Sequence, residues 1–485
     1  MSKGLFVKKS VKSLLDEASQ KRHSFKRTLS ALNLTAMGIG AIIGAGLFVL
    51  TGQAAAEYAG PGITVSFVLA GIVALFAALC YAEFASLIPI SGSAYSYAYV
   101  TLGEFAAWMM GCVLTVEYLL SACTVAVGWS GYFTSLLTDF GLSIPAIFSS
   151  APFVYDLDLG WSMSGNLINV PALLIVALMG VLVALGIKAA ASFNNIMVIV
   201  KLAVVTLFIV CGIFYIKSDN LTPFIPSNTG NFGQYGFSGI LRGAGVVFFA
   251  FIGFDALSTL AQEAKNPQKD LPKGMLGSLG ICTVIYIIVG FILTGIVSYK
   301  MLDVADPIAV AVNALGPNFI WLRFFIKLAI LAGLTSVILV MLLAQSRILF
   351  TIANDGLLPK AFCKINDKTK TPLFSTVIVT VLGMIIAGLF PVGILGQLVS
   401  MGTLLVFAIV CFGVLILRYK QPSLHRPFKV PFAPWVPLMG TIASVMQMMF
   451  LPGVTWLQLI VWLAIGCYVY FKYSIHHSVV RHKKR

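Results

Sequence analysis

Twelve apolar runs of about 20 residues, joined by mostly short polar links, divide this chain, and few folds can accommodate such a pattern. They fall approximately at 32–54, 62–88, 104–132, 168–187, 192–216, 238–262, 275–298, 322–350, 373–391, 394–417, 433–451 and 454–472. Of the 485 residues, 59% are hydrophobic and 10% charged, whereas a soluble domain carries about 25% charged residues. Hydrocarbon offers no hydrogen bonds, so each run must satisfy its own backbone. The expectation is an all-α integral membrane protein with 12 transmembrane helices. The first thirty residues are polar and basic without an apolar core, so no cleavable signal peptide is expected.

The formal net charge of +15 is distributed by topology. Lys3, Lys8, Lys9, Lys12, Lys21, Arg22, Lys26 and Arg27 crowd the first 30 residues. If that tail is cytoplasmic, alternate links should be basic, and they are. Lys265, Lys269 and Lys273 form one group, Arg347, Lys360, Lys364, Lys368 and Lys370 a second, and Arg418, Lys420, Arg426 and Lys429 a third. Lys472, Arg481, Lys483, Lys484 and Arg485 close the chain. The opposite links carry few cations, chiefly Lys217 and Lys300, and the longest (133–167) has none. This asymmetry places both termini inside a cell membrane. It suits anionic lipid at the cytoplasmic face and gives no nucleic-acid footprint. The eight cysteines show neither metal-ligand spacing nor an extracellular pairing, so no metal or cofactor is expected.

Glycines interrupt two of these runs. GIGAIIGAGLF places Gly38, Gly40, Gly44 and Gly46 inside the first, and Gly253 breaks GVVFFAFIGFDALST in the sixth. Each glycine costs roughly 1 kcal/mol against alanine in a helix interior, which invites unwinding. Unwound backbone at membrane depth survives only where it is enclosed by protein or lines a cavity. Close helix packing through Gly40-x-x-x-Gly44 accounts for one glycine pair but not for the matching break. The breaks open two blocks of five spans, residues 31–217 and 237–418. Five is odd, so the second block runs inverted: a 5+5 inverted repeat with discontinuous helices 1 and 6. Two extra helices (433–472) follow, with basic tails at 1–30 and 473–485.

A break exposes chemistry. The half-helix resuming near Gly44 offers free N–H groups, suited to a carboxylate. The first half of span six ends in carbonyls around Phe249, Ala250 and Ile252, suited to an ammonium. The two poles together fit a zwitterion. Lys201 lies about nine residues into span five, roughly 13 Å along a helix and near the midplane, too deep to snorkel. A buried ammonium that can exchange its proton suits a proton carrier, and a structural salt bridge to Glu117 or Asp255 is the alternative. Asp255 is suited either to N-capping the resumed half-helix or to function. Glu117 can pair with a substrate amine, a proton or Lys201. Glu83, near the cytoplasmic end of its span, reads as interfacial or gating.

GIGAIIGAGLFVLTG (38–52), FNNIMVIVK (193–201), FFAFIGFDALSTLAQEAKNPQKDLPKG (248–274) and RPFKVPFAPWVP (426–437) resemble signatures of the amino acid–polyamine–organocation superfamily. Within it the resemblance is to the cationic amino acid transporter-like branch, over nearly the whole chain. It implies alternating access by rocking of a helix bundle. Substrate carboxylate would meet N–H groups around Ile43, Ala45 and Gly46, and substrate amine the carbonyls of Phe249, Ala250 and Ile252. Lys201 matches a lysine that stands for a sodium ion in proton-coupled members. Its implied neighbours are the carbonyl of Gly38 or Ile39 and the hydroxyls of Thr335 and Ser336. Gly38, Gly44, Glu117, Asp255, Thr335 and Ser336 are thus the accessory or gating candidates. Ala45 departs from the hydroxyl residue found in some members, which leaves side-chain selectivity open.

The expected function is a secondary active importer of amino acids, coupled to protons, with exchange of one amino acid for another as the alternative. A channel is disfavoured by the lack of a carbonyl filter motif or a ring of like charges. An enzyme is disfavoured because His23, His425, His476, His477 and His482 all lie in tails or cytoplasmic links.

Overall fold

The computed structural model describes residues 7–10, 29–90, 92–156, 160–185, 187–261, 264–304, 306–316, 319–369 and 371–482. Outside the described residues lie Lys3, Lys12, Lys21, Arg22, Lys26, Arg27, Lys370, Lys483, Lys484 and Arg485 of the basic groups, and Gln262 and Glu263 of the span-six phrase. The side chains of Phe193, Asn194 and Asn195 in the span-five phrase also lie outside them.

The chain is mostly helical, as its apolar runs require. Helix α1 spans Ala31–Ile42, α2 Ile63–Leu87, α3 Ser93–Thr101, α4 Glu104–Asp139, α5 Val170–Leu185, α6 Ile187–Gly212 and α7 Gly236–Val247. They are followed by α8 Pro267–Ile296, α9 Pro307–Asn313, α10 Ile320–Asn354, α11 Leu373–Leu389, α12 Val392–Lys420, α13 Trp435–Met449 and α14 Gly453–Val469. Among the described residues, eight helical stretches are long and apolar enough to cross a membrane, and α1, α5, α11 and α13 are shorter apolar helices. The exterior carries leucine, valine and isoleucine: Leu178 is 61% exposed and Ile460 58%. Lys201, Glu117 and Asp255 are buried. Apolar outside with charge inside is the arrangement hydrocarbon selects.

Three features depart from the all-α expectation of long helices and short links. Helices α3 and α9 occupy stretches read as links. In 133–167 the strands β1 (Phe153–Asp156) and β2 (Gly160–Met163) pair antiparallel, with Phe153 opposite Met163. Aromatic and β-branched residues favour this local pairing. It is anchored by Phe153 and Trp161 against Phe390, with ring centroids 5.5 and 6.2 Å away.

Helix α4 is the central strut, packed on α10 and α12, while α8 packs on α1 and α2 and α5 on α11. The end of the molecule that carries both termini is tied by ions. Glu104 accepts from Tyr99 Oη at 2.8 Å, Tyr470 Oη at 3.0 Å and Arg481 Nε at 2.6 Å. Asp355, just after α10, accepts from Lys9 Nζ at 2.6 Å and Tyr95 Oη at 2.7 Å. Glu83, near the end of α2, binds Arg418, stands 3.2 Å from Arg426 Nε and accepts the Val430 N–H at 2.8 Å. The arginine and valine of RPFKVP therefore lock the α12–α13 link to α2, which gives that phrase a structural reason.

Candidate functional site

Helix α1 stops where its glycines weaken it. Ile43 is extended (φ −72°, ψ 104°), with its N–H still donating to Ile39 O at 3.0 Å. The chain resumes as π, α and π turns over Gly46–Leu50, Thr51–Ala54 and Ala55–Ala59. Leu47 and Phe48 N–H both donate to Gly44 O, at 3.1 and 3.2 Å. The amides of Gly44, Ala45 and Gly46 find no backbone acceptor among the described residues. They are the first-turn donors of the resumed half. Ile43 does not join them, because its N–H is already spent inside α1.

The sixth span breaks in the same way. After α7 come a 3-10 turn (Phe248–Phe251), an extended Ile252 (φ −69°, ψ 137°) and a second 3-10 turn, Asp255–Leu260. Gly253 has φ +124°, and a Cβ there would stand 2.8 Å from the Ala41 carbonyl carbon. Only glycine fits that backbone and that approach. The breaks touch: a Cβ on Gly46 would lie 2.3 Å from Ala250 Cα. Of the three carbonyls expected to receive an ammonium, Phe249 O accepts the Ile252 N–H at 3.2 Å and Ala250 O accepts Tyr286 Oη at 2.8 Å. Ile252 O has no donor among the described residues.

Lys201, near the middle of α6, reaches into the first break. Its Nζ donates to Ile43 O at 2.6 Å, Gly40 O at 2.8 Å and Ser336 Oγ at 3.3 Å. Three acceptors match the three donors of an ammonium, and the partial negative charge of the α1 C-terminus offsets its charge. This corrects the implied neighbours. Ile39 O already holds the Ile43 N–H, and Gly38 packs α1 against Ser278. The terminal carbonyls of Gly40 and Ile43 take the lysine instead. Thr335 spends its hydroxyl on Leu331 O at 2.7 Å within α10, and Ser336 alone of the pair meets Lys201. Gly333 makes the room, since a Cβ there would stand 2.9 Å from Lys201 Cε.

The carboxylates sit apart from this cage. Among the described residues, no ion pair joins Lys201 to Glu117 or Asp255, so the salt-bridge alternative is not what the structure contains. Asp255 accepts Tyr118 Oη at 2.6 Å and the Gly253 N–H at 3.2 Å. That amide lies upstream of the 3-10 turn, so the carboxylate braces the break, and it also meets the first amides of the turn, those of Asp255 and Ala256. Glu117 is fully buried, and neither carboxylate oxygen has a donor among the described residues.

Two tyrosines escaped sequence reasoning. Tyr286 on α8 contacts both breaks, with its hydroxyl 2.9 Å from Ile42 O and 2.8 Å from Ala250 O. Tyr132 on α4 donates to Phe48 O at 2.7 Å. A tyrosine in an apolar run looks like any aromatic filler until its partner carbonyl is known. Below the breaks, a cavity of about 40 Å³ runs between Met37 and Ala41 on α1, Leu257 and Thr259, and Leu343 and Ala344 on α10.

The family described as amino acid permease matches residues 29–471, a stretch that holds both breaks and the lysine cage. This chain belongs to the amino acid permease family, in the amino acid–polyamine–organocation superfamily. The permease is 44% identical over 476 residues to the methylthioribose transporter of Bacillus subtilis (strain 168), covering 98% of this chain and 99% of that protein. It is 43% identical over 481 residues to the branched-chain amino acid permease BcaP of the same organism, covering 99% of each. Against the vacuolar cationic amino acid transporter 4 of Arabidopsis thaliana the figures are 35% over 402 residues, 83% of this chain and 65% of that protein. The permease is thus a multi-pass helical membrane protein of a transporter family.

Proposed function

We propose that this permease imports a neutral aliphatic amino acid across the cell membrane by alternating access, coupled to protons through Lys201. The observation that carries the reading is the three-acceptor cage, in which one ammonium grips the end of α1 at the break. Protonated Lys201 stabilises the outward-facing, substrate-binding state. Deprotonation toward the cytoplasm loosens the α1 end and permits release. The substrate carboxylate meets the amides of Ala45 and Gly46, and its amine the carbonyls of Ala250 and Ile252, with Glu117 and Asp255 as the flanking acids. Apolar neighbours Phe249 and Phe254 and the full-length likeness to BcaP support an aliphatic side chain.

The same reading takes the chain as twelve spans with both termini cytoplasmic, in repeats 31–217 and 237–418 plus the pair in 433–472. Packing of α2 on α8, α4 on α10 and α5 on α11 supports it, since each pair joins spans five apart in order. Anionic lipid at the basic cytoplasmic face belongs to this picture.

Proteoliposome uptake of labelled leucine, alanine, arginine and methylthioribose, with and without an inside-alkaline gradient, tests it. Gradient-driven accumulation of leucine or alanine is expected, and Lys201→Ala should keep substrate binding while losing the gradient's effect. An unchanged gradient response in Lys201→Ala sinks the proton switch. A second reading is exchange without net proton movement, because a fully satisfied ammonium also suits a permanent structural cation. Uptake that appears only with amino acid preloaded inside would establish it. Preference for methylthioribose over every amino acid would replace the substrate class.

A further inference from the structure

An open cavity of about 290 Å³ lies away from the two breaks, lined by residues of α4, α11, α12 and α14 and by Trp161 of β2. Its walls are mostly apolar, including Val116, Leu119, Ile394 and Leu459; α4, α12 and α14 belong to apolar stretches long enough to cross a membrane, and α11 is a shorter apolar helix. The solvent that reaches such a space is lipid, not water. Its size is at the lower edge of the roughly 300–1,000 Å³ of small-molecule sites, which suits one hydrocarbon chain and excludes a whole phospholipid.

One lining group does not fit a purely hydrocarbon occupant. Gln458 on α14 presents an amide to the cavity, and its Oε1 is buried with no donor among the described residues. Two other polar groups of the wall are already committed: Thr115 Oγ1 donates to Gly111 O at 2.8 Å and Trp462 Nε1 to Cys112 O at 2.8 Å. A buried amide oxygen without a donor is costly inside a bilayer, which offers no water to replace the lost hydrogen bond. Gln458 is five residues from the start of α14, about 7.5 Å along the helix, a depth nearer a lipid's glycerol linker than its hydrocarbon tail.

We propose that this cavity is a lipid site, occupied by a single acyl chain whose polar linker places a hydroxyl on the Gln458 amide. The ligand class is a hydroxyl-bearing acyl lipid. A hydroxyl both donates and accepts, so it satisfies either end of the amide. The chain fills the space left between α4, α12 and α14 beside the direct α4–α14 contact that Trp462 makes with Cys112 O. The site stands independently of the transport reading, because its readout is stability.

Delipidated protein in detergent is melted with added monoolein or methyl oleate, which share one chain and differ in the free hydroxyls. Monoolein should raise the Tm, and methyl oleate should raise it less. In Gln458→Leu the two should act alike, and in Ile394→Phe, which fills the cavity, neither should act. Equal stabilisation of the native protein by both lipids overturns the hydroxyl contact. A native-like response in Ile394→Phe overturns the site itself, and that variant remains informative if Gln458→Leu fails to fold.

Discussion

At the residue scale, the two breaks depend on glycine in unequal ways. A Cβ on Gly46 would strike Ala250 Cα at 2.3 Å, backbone that cannot turn aside. A Cβ on Gly44 would meet a Val337 methyl at 3.3 Å, which a small side-chain shift relieves. Gly46→Ala should therefore separate the breaks and abolish substrate binding while the protein still folds, whereas Gly44→Ala keeps most of its affinity. Equilibrium binding on both purified variants decides it, and normal affinity in Gly46→Ala would refute the backbone site. Tyr286 belongs to the same scale: one hydroxyl, shared between Ile42 O and Ala250 O, ties the breaks where neither has a helical partner.

At the scale of elements, helices are held in register by buried ions at their ends. Glu83 on α2 gathers Arg418 from α12 with Arg426 and Val430 from the link beyond it. Removing one partner of a buried pair leaves the others uncompensated, a loss of about 3–5 kcal/mol. Arg418, whose side chain is 26% exposed, recovers some hydration, so the lower end applies. Glu83→Gln should lower the Tm in detergent by several degrees while uptake per folded molecule persists. Lost uptake at an unchanged Tm would return Glu83 to a gating role. Both glycine-interrupted segments were legible as elements, because glycine weakens a helix wherever it falls. The short helices α3 and α9 and the β1–β2 pair were not, because they are held by neighbours: Asp355 for Tyr95 on α3, Ser135 for the Asp306 that precedes α9, and Phe390 for the hairpin.

At the scale of the whole molecule, the charge asymmetry of the links predicts orientation. An epitope tag at either terminus should stay inaccessible to antibody in intact cells and become accessible on permeabilisation. A tag inserted in 133–167, which carries no lysine or arginine, should be reached without it. Staining of a terminal tag in intact cells would invert the topology and, with it, the direction assigned to Lys201.

The sequence by itself determined the solvent, the class of fold, the two breaks and the buried lysine. Each follows from local chemistry: run length for the membrane, glycine for the unwinding, charge at depth for Lys201. Only the tertiary structure decided which atoms meet. It chose Gly40, Ile43 and Ser336 for the ammonium over Gly38, Ile39 and Thr335. It took Ile43 out of the set of free amides, turned Glu83 into a clamp and set Asp255 on Tyr118 and Gly253. Hydrogen-bond partners across helices depend on rotation and depth to within an ångström. That register comes from packing of the entire bundle, and no single run encodes it.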